Sequence, residues 1–158
     1  MSTPAEQEFT TEVGASVQQC FATITDFEQY PSWFSTVKST QVLERYTDGL
    51  AKRVALRVDM KLKTIGYVLE YEYRKPTDLT WTEVEGDLES IAGSYKFEKL
   101  GAKRCRVTCR QAVSIGFWVP GPLRALIERQ ALRTSVLEFK AAAESAARAV
   151  TPRRRTKK

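Results

Sequence analysis

The stretch VPGPLRALIERQALRTSVLEFKAAAESAA, residues 119–147, governs how the rest of the chain must fold. Pro120-Gly121-Pro122 stops the strand-like run before it, because proline cannot donate to a β-ladder and glycine turns easily. Pro122 suits a first helical turn, where its missing N–H would have had no partner. Leu123, Leu126, Ile127, Gln130, Thr134 and Leu137 recur at spacings of three and four, which predicts one face of a helix. At 1.5 Å per residue a helix of roughly 25 residues is about 37 Å long, enough to cross a whole sheet. Gln130 and Thr134 interrupt the apolar stripe and point to a partly polar cavity beneath it.

Upstream of that helix, residues 35–116 read almost entirely as strand. Six runs are expected, at 36–45, 52–60, 62–74, 80–85, 88–100 and 104–116. Thr47-Asp48-Gly49 and Pro76-Thr77-Asp78 carry turn chemistry between them. Gly93 is expected to mark a bulge or kink inside its strand. Consecutive strands joined by tight turns form an antiparallel meander. Residues 7–13 read as a first strand, and Ser16 as the N-cap of a short helix at 17–25. Asp26 is placed to cap a second short helix, 27–30, which Pro31 should end. The fold class is therefore α+β: a strongly curved antiparallel sheet of about seven strands, two short helices after the first, and one long C-terminal helix.

A chain of 158 residues, 42% of them hydrophobic, makes one domain that needs no metal or disulfide staple. The domain is expected at 1–150, with 151–158 a disordered basic tail. Arg153, Arg154, Arg155, Lys157 and Lys158 supply five of the six net positive charges, so the remainder is nearly neutral. A basic tail on a neutral domain is a candidate for weak contact with RNA or anionic lipid, not a nucleic-acid-binding domain. Histidine is absent, which excludes Ser-His-Asp and Cys-His catalysis and histidine-ligated metals. Three cysteines, Cys20, Cys105 and Cys109, are too few for a thiolate zinc site and are read as buried small residues in a reducing compartment. Neither a metal nor a cofactor is expected. No apolar run reaches the length that spans a bilayer and the first residues are polar, so the expectation is a cytoplasmic protein, monomer or homodimer.

With the apolar face of each strand turned inward, Tyr67, Tyr71, Tyr73, Tyr95 and Gln111 fall on that face beside Met60, Trp81 and Phe97. Buried phenols without partners cost on the order of 1–3 kcal/mol each, so several on one concave face point to an open cavity. The competing reading places their hydroxyls at the solvated rim of the sheet. Glu83 shares parity with Trp81 and is a candidate inward carboxylate, unless the Thr82/Val84 face is the inner one. Phe27, Tyr30, Trp33 and Phe34 either plug the sheet end or, for Trp33 and Phe34, form a pocket mouth. Phe117 and Trp118 are candidates for its lip.

Four motifs in order carry a resemblance. They are Asp26-Phe27-Glu28-Gln29-Tyr30-Pro31-Ser32-Trp33, Trp81 with Glu85-Gly86-Asp87, Gly93-Ser94-Tyr95-Lys96-Phe97, and Val119-Pro120-Gly121-Pro122-Leu123. Across residues 7–147 the chain resembles the polyketide cyclase/dehydrase and lipid-transport family of the START-like (Bet v 1-like) superfamily, near its coenzyme Q-binding branch. The resemblance implies a helix-grip fold and a hydrophobic small-molecule partner: a lipid, polyketide or quinone. Gln111 departs from the family pattern, which is usually apolar there. Arg57 has outward parity, against an arginine-assisted cyclase site.

Three functions follow as expectations: binding or transport of a hydrophobic molecule in an internal cavity, a polyketide cyclase/dehydratase, and a ribosome- or RNA-associated role for the tail. The expected ligand-binding residues are Trp33, Phe34, Leu56, Tyr67, Tyr71, Trp81, Tyr95, Phe97, Gln111, Leu126, Ile127 and Gln130. Tyr71 and Glu83 are the candidates for any proton transfer.

Overall fold

Seven strands build one sheet: β1 (Gln7–Val13), β2 (Val37–Arg45), β3 (Ala51–Asp59), β4 (Thr64–Arg74), β5 (Asp78–Gly86), β6 (Ser90–Gly101) and β7 (Arg104–Ser114). Every pairing is antiparallel, in the order β1-β7-β6-β5-β4-β3-β2. Strands β2 to β7 are the expected meander, and β1 adds to its far end, with Phe9 opposite Cys109 and Val13 opposite Cys105. The computed structural model describes residues 6–60, 63–114 and 120–153. Phe117, Trp118 and residues 154–158, most of the expected tail, lie outside them.

Helix α1 (Val17–Ile24) starts where Ser16 Oγ accepts the Gln19 N–H at 3.0 Å, the cap its sequence calls for. Its apolar face, Val17, Cys20, Phe21 and Ile24, is buried. A 3-10 turn (Phe27–Gln29) leads into helix α2 (Tyr30–Trp33). Here the expectation is corrected: Asp26 makes no side-chain capping bond, and Pro31 sits in the opening turn of α2 instead of ending a helix. That position tolerates proline because its missing N–H lies among the unpaired donors of the first turn.

Helix α3 (Gly121–Arg153) has 33 residues, about 50 Å of helix. It is longer than expected and runs to Arg153, past the boundary anticipated at residue 150. The face it turns to the sheet also differs from the predicted stripe. Leu132, Val136, Phe139 and Ala143 are buried, whereas Leu137 is 37% and Leu126 48% exposed. Two stripes at helical spacing coexist in this segment, and the one carrying Phe139 and Val136 fits the sheet's aromatic surface. Phe139 stacks on Phe97 at 5.9 Å and meets Tyr95 at 5.3 Å.

Polar contacts fix the C-terminal half of α3. Lys140 Nζ donates to Glu144 Oε2 (2.6 Å) and to the Glu12 carbonyl (3.1 Å), while Glu144 Oε2 also accepts the Gly14 N–H (2.8 Å). Farther back along the helix, Glu138 Oε1 accepts the Ser35 N–H at 2.9 Å and holds the α2–β2 connection. No helix among the described residues is long and apolar enough to cross a membrane.

Candidate functional site

Between the sheet and the N-terminal half of α3 lies a cavity of about 560 Å³, within the range of small-molecule pockets. Its walls are mainly apolar: Leu56 from β3, Ile65 and Leu69 from β4, Leu79 from β5, Ile91 from β6 and Val113 from β7. Each points inward because alternate residues of a strand share a face. Tyr30, Phe34, Tyr67, Tyr71, Trp81 and Tyr95 add aromatic surface.

The six tyrosines divide by the fate of their hydroxyls. Tyr30 donates to the Ile24 carbonyl (2.5 Å), Tyr46 to the Tyr71 carbonyl (2.6 Å) and Tyr73 to the Ala51 carbonyl (2.6 Å). Tyr95 lies beside the Cys109 thiol in the cavity wall. Tyr67 and Tyr71 line the cavity, and neither hydroxyl has a hydrogen-bond partner among the described residues. Burial pushes both phenols above their ordinary pKa, with the Glu83 carboxylate adding to the shift at Tyr67 and neighbouring tyrosines at Tyr71. At neutral pH they are therefore protonated, able to donate a hydrogen bond and poor as bases.

A third polar group comes from a row across three strands. Trp81, Gly93 and Gln111 are direct partners on β5, β6 and β7. The Trp81 indole lies flat across Gly93, where a Cβ would stand 2.4 Å from the ring, and its Nε1 donates to Gln111 Oε1 at 3.1 Å. Gly93 is thus no bulge, since pairing runs unbroken through it on both sides. The glycine makes room for the indole. Gln111 fixes Trp81 through its Oε1 and keeps its amide N–H groups for the cavity.

Glu83 has the inward parity, opposite Leu69 of β4. Its Oε2 is buried without a hydrogen-bond partner. Burial raises its pKa, the Leu88 N–H opposes the shift, and Asp87 adds to it. Glu83 does not line the cavity; it stands behind Tyr67. Gly86 makes this packing possible, because at φ +146° a Cβ there would fall 2.4 Å from Tyr67 Cβ and 2.8 Å from Glu83 Oε2.

Of the expected ligand-binding residues, Phe34, Leu56, Tyr67, Tyr71, Trp81, Tyr95, Gln111, Leu126 and Gln130 come together around this cavity. Leu126 and Gln130 stand at an exposed rim, not beneath the helix. Trp33 and Phe97 do not line it. Trp33 stacks on Phe34 at 5.3 Å and Phe97 is fully packed against Tyr95 and Phe139. The side chain of Ile127 lies outside what the structure describes. Sequence reasoning missed Tyr30, Ser135 and Glu128 as lining residues. For Ser135 and Glu128 the signal was the second helical stripe. Arg57 is exposed on the outer face of β3, as its parity indicates.

Cys20 and Cys105 approach to 3.3 Å between sulfurs and are buried, as is Cys109, whose thiol is pushed up to about 12 by burial. No cluster of three or more potential metal ligands occurs among the described residues.

Comparison with known proteins agrees with this architecture. A family model described as polyketide cyclase/dehydrase and lipid transport matches residues 13–140. No curated protein matches. Among solved structures, a START superfamily protein from Mycobacterium smegmatis is similar at TM-score 0.77 and 22% identity, over 92% of this chain and 99% of that one. The Zhui aromatase/cyclase from Streptomyces sp. R1128 is similar at TM-score 0.77 and 18% identity, over 94% and 97%. A Thermus thermophilus protein gives 0.76 and 17%, over 90% and 99%. At these identities the likeness is one of fold.

Proposed function

The chain belongs to the polyketide cyclase/dehydrase and lipid-transport family, and on that footing we propose that it binds a hydrophobic small molecule in the cavity under α3. The observation that carries this reading is the division among the tyrosines. Three hydroxyls are bound to backbone carbonyls, while those of Tyr67 and Tyr71, in the wall of a mainly apolar cavity, have no hydrogen-bond partner among the described residues. Two donors and the Gln111 amide in such a space suit a largely apolar ligand with one or two oxygen acceptors, such as a polyketide, quinone or lipid.

A cyclase or dehydratase is the second reading, favoured by one feature: the partly buried Glu83 carboxylate behind Tyr67. Protonated Tyr67 and Tyr71 would polarise a ligand carbonyl, and Glu83 would act on the ligand only through Tyr67. Binding ranks first because it asks only for the cavity, whereas turnover needs an acid–base pair and Glu83 does not line the cavity.

Native mass spectrometry of the purified protein, with organic extraction of what co-purifies, tests the proposal. A bound apolar molecule lost in a folded Tyr71→Trp variant is the expected result. A protein that neither carries nor takes up lipid, quinone or polyketide would overturn it.

A further inference from the structure

On the β1 side of α3 a groove of about 430 Å³ runs between the helix and the free edge of the sheet. Arg129 and Arg133, one helical turn apart, line it together with Glu8 and Phe9. Both arginines are exposed, and neither has a carboxylate partner among the described residues. The Arg133 guanidinium lies over the Phe9 ring at 5.4 Å, which holds it in the groove. Glu8, the acidic group of the groove, is engaged by Arg110 on the outer sheet face at 3.4 Å. Two guanidinium groups therefore converge on one concave surface with their charge uncompensated.

The groove adjoins the cavity. Gln7, Leu126, Gln130 and Leu132 line both. We propose that the groove holds the head group of an anionic amphiphile, whose oxyanion sits between Arg129 and Arg133 while its apolar tail enters the cavity past Gln7 and Leu132. The proposal rests on the cavity reading and sharpens its ligand class to one with a carboxylate or phosphate monoester. Charge placement sets the orientation. The charged residues lining the cavity are the carboxylates Asp59 and Glu128, which repel an anion, whereas Arg129 and Arg133 line only the groove. The planar forks of arginine suit either oxyanion. An exposed ion pair alone is weak, so the tail supplies affinity and the arginines supply selectivity.

Isothermal titration calorimetry with decanoate, decyl phosphate and methyl decanoate, at pH 8, low salt and below micellar concentrations, tests this. At least one anion is expected to bind about tenfold tighter than the neutral ester, and added salt should narrow the gap. In Arg129→Gln/Arg133→Gln the anion should fall to the level of the ester, with the ester unchanged. The anion that loses more identifies the head group. Equal binding of ester and both anions by the wild type, or an anion advantage that survives in the double variant, overturns the head-group site. Those results leave the cavity reading standing if Tyr71→Trp still abolishes ester binding. Ester binding that Tyr71→Trp does not alter sinks the cavity reading instead, and no binding of any of the three removes both.

Discussion

Along a single helix, α3, two halves meet the same sheet and build opposite things. From Val136 to Ala147 the helix closes a core: Val136, Phe139 and Ala143 are fully buried, and Lys140 and Glu144 tie it to Glu12 and Gly14. Nearer its start it roofs a cavity, with Leu126 48% exposed at the rim and Gln130 beside it. The difference lies in what the sheet offers below. Under the C-terminal half, Phe97 and Tyr95 rise to meet Phe139. Under the other half the inward residues fold against one another, Trp81 over Gly93 and Tyr71 against Phe27 at 4.6 Å, and leave space above them. An aromatic surface that packs sideways makes a pocket, and one that packs upward makes a core.

The strongest test of this contrast truncates each half in turn. Phe139→Ala should cost about 3–5 kcal/mol in denaturant unfolding, whereas Leu126→Ala should stay within about 0.5 kcal/mol. Comparable losses would show that the two halves are equally packed. Next in size is Gly93→Ala, whose methyl group must displace the Trp81 ring. A loss of about 1–3 kcal/mol is expected, with a shift in tryptophan emission as the Gln111 bond breaks.

Smaller effects separate pocket from core at the level of single hydroxyls. Tyr71→Phe and Tyr67→Phe should weaken a ligand bearing an oxygen acceptor by about 0.5–1.5 kcal/mol each and leave the unfolding midpoint nearly unchanged. Tyr30→Phe should do the reverse, since its hydroxyl holds the Ile24 carbonyl. Calorimetric titration beside thermal unfolding distinguishes the two. Stability loss with unaltered binding in Tyr71→Phe would make its hydroxyl structural.

The smallest effects, under about 1 kcal/mol, are expected from two carboxylates with opposite pH signs. Burial acts to raise the pKa of Glu144, but Lys140 and the Gly14 N–H outweigh it and hold the group below its ordinary value. Its contribution is present above the unfolded pKa and is lost as pH falls through the folded one. Glu144→Gln should thus be less stable than the wild type at neutral pH and converge with it in acid. Glu83 has a folded pKa raised mainly by burial, so stability declines as pH rises through it. Glu83→Gln should gain at neutral pH and likewise converge in acid. Unfolding midpoints from pH 3 to 8 check both, and the same sign for the pair would contradict the geometry.

Much of the pocket was legible because a strand has a period of two. Once Tyr67, Leu69 and Tyr71 were placed on one face of β4, their inward direction followed, and so did that of Leu56 and Trp81. Helical spacing was less decisive. Between residues 123 and 143 the chain carries two stripes, and the more continuous of them holds Leu137, which is exposed. Trp33 on α2 and Phe97 on β6 stand outside the cavity lining for a related reason: an aromatic side chain can face a neighbouring ring as readily as a cavity.

Sequence was enough for the strands, their turns, the capped α1, the long final helix and, through the absence of histidine, the chemistry that is closed to the site. These depend on local backbone preference and composition. Long-range packing was needed to join β1 to β7, to choose which face of α3 turns inward, to make Gly93 a seat for an indole, and to decide which tyrosine hydroxyls lack a partner among the described residues. Each of those outcomes hangs on a partner distant in sequence, and residue periodicity carries no record of which group will stand opposite.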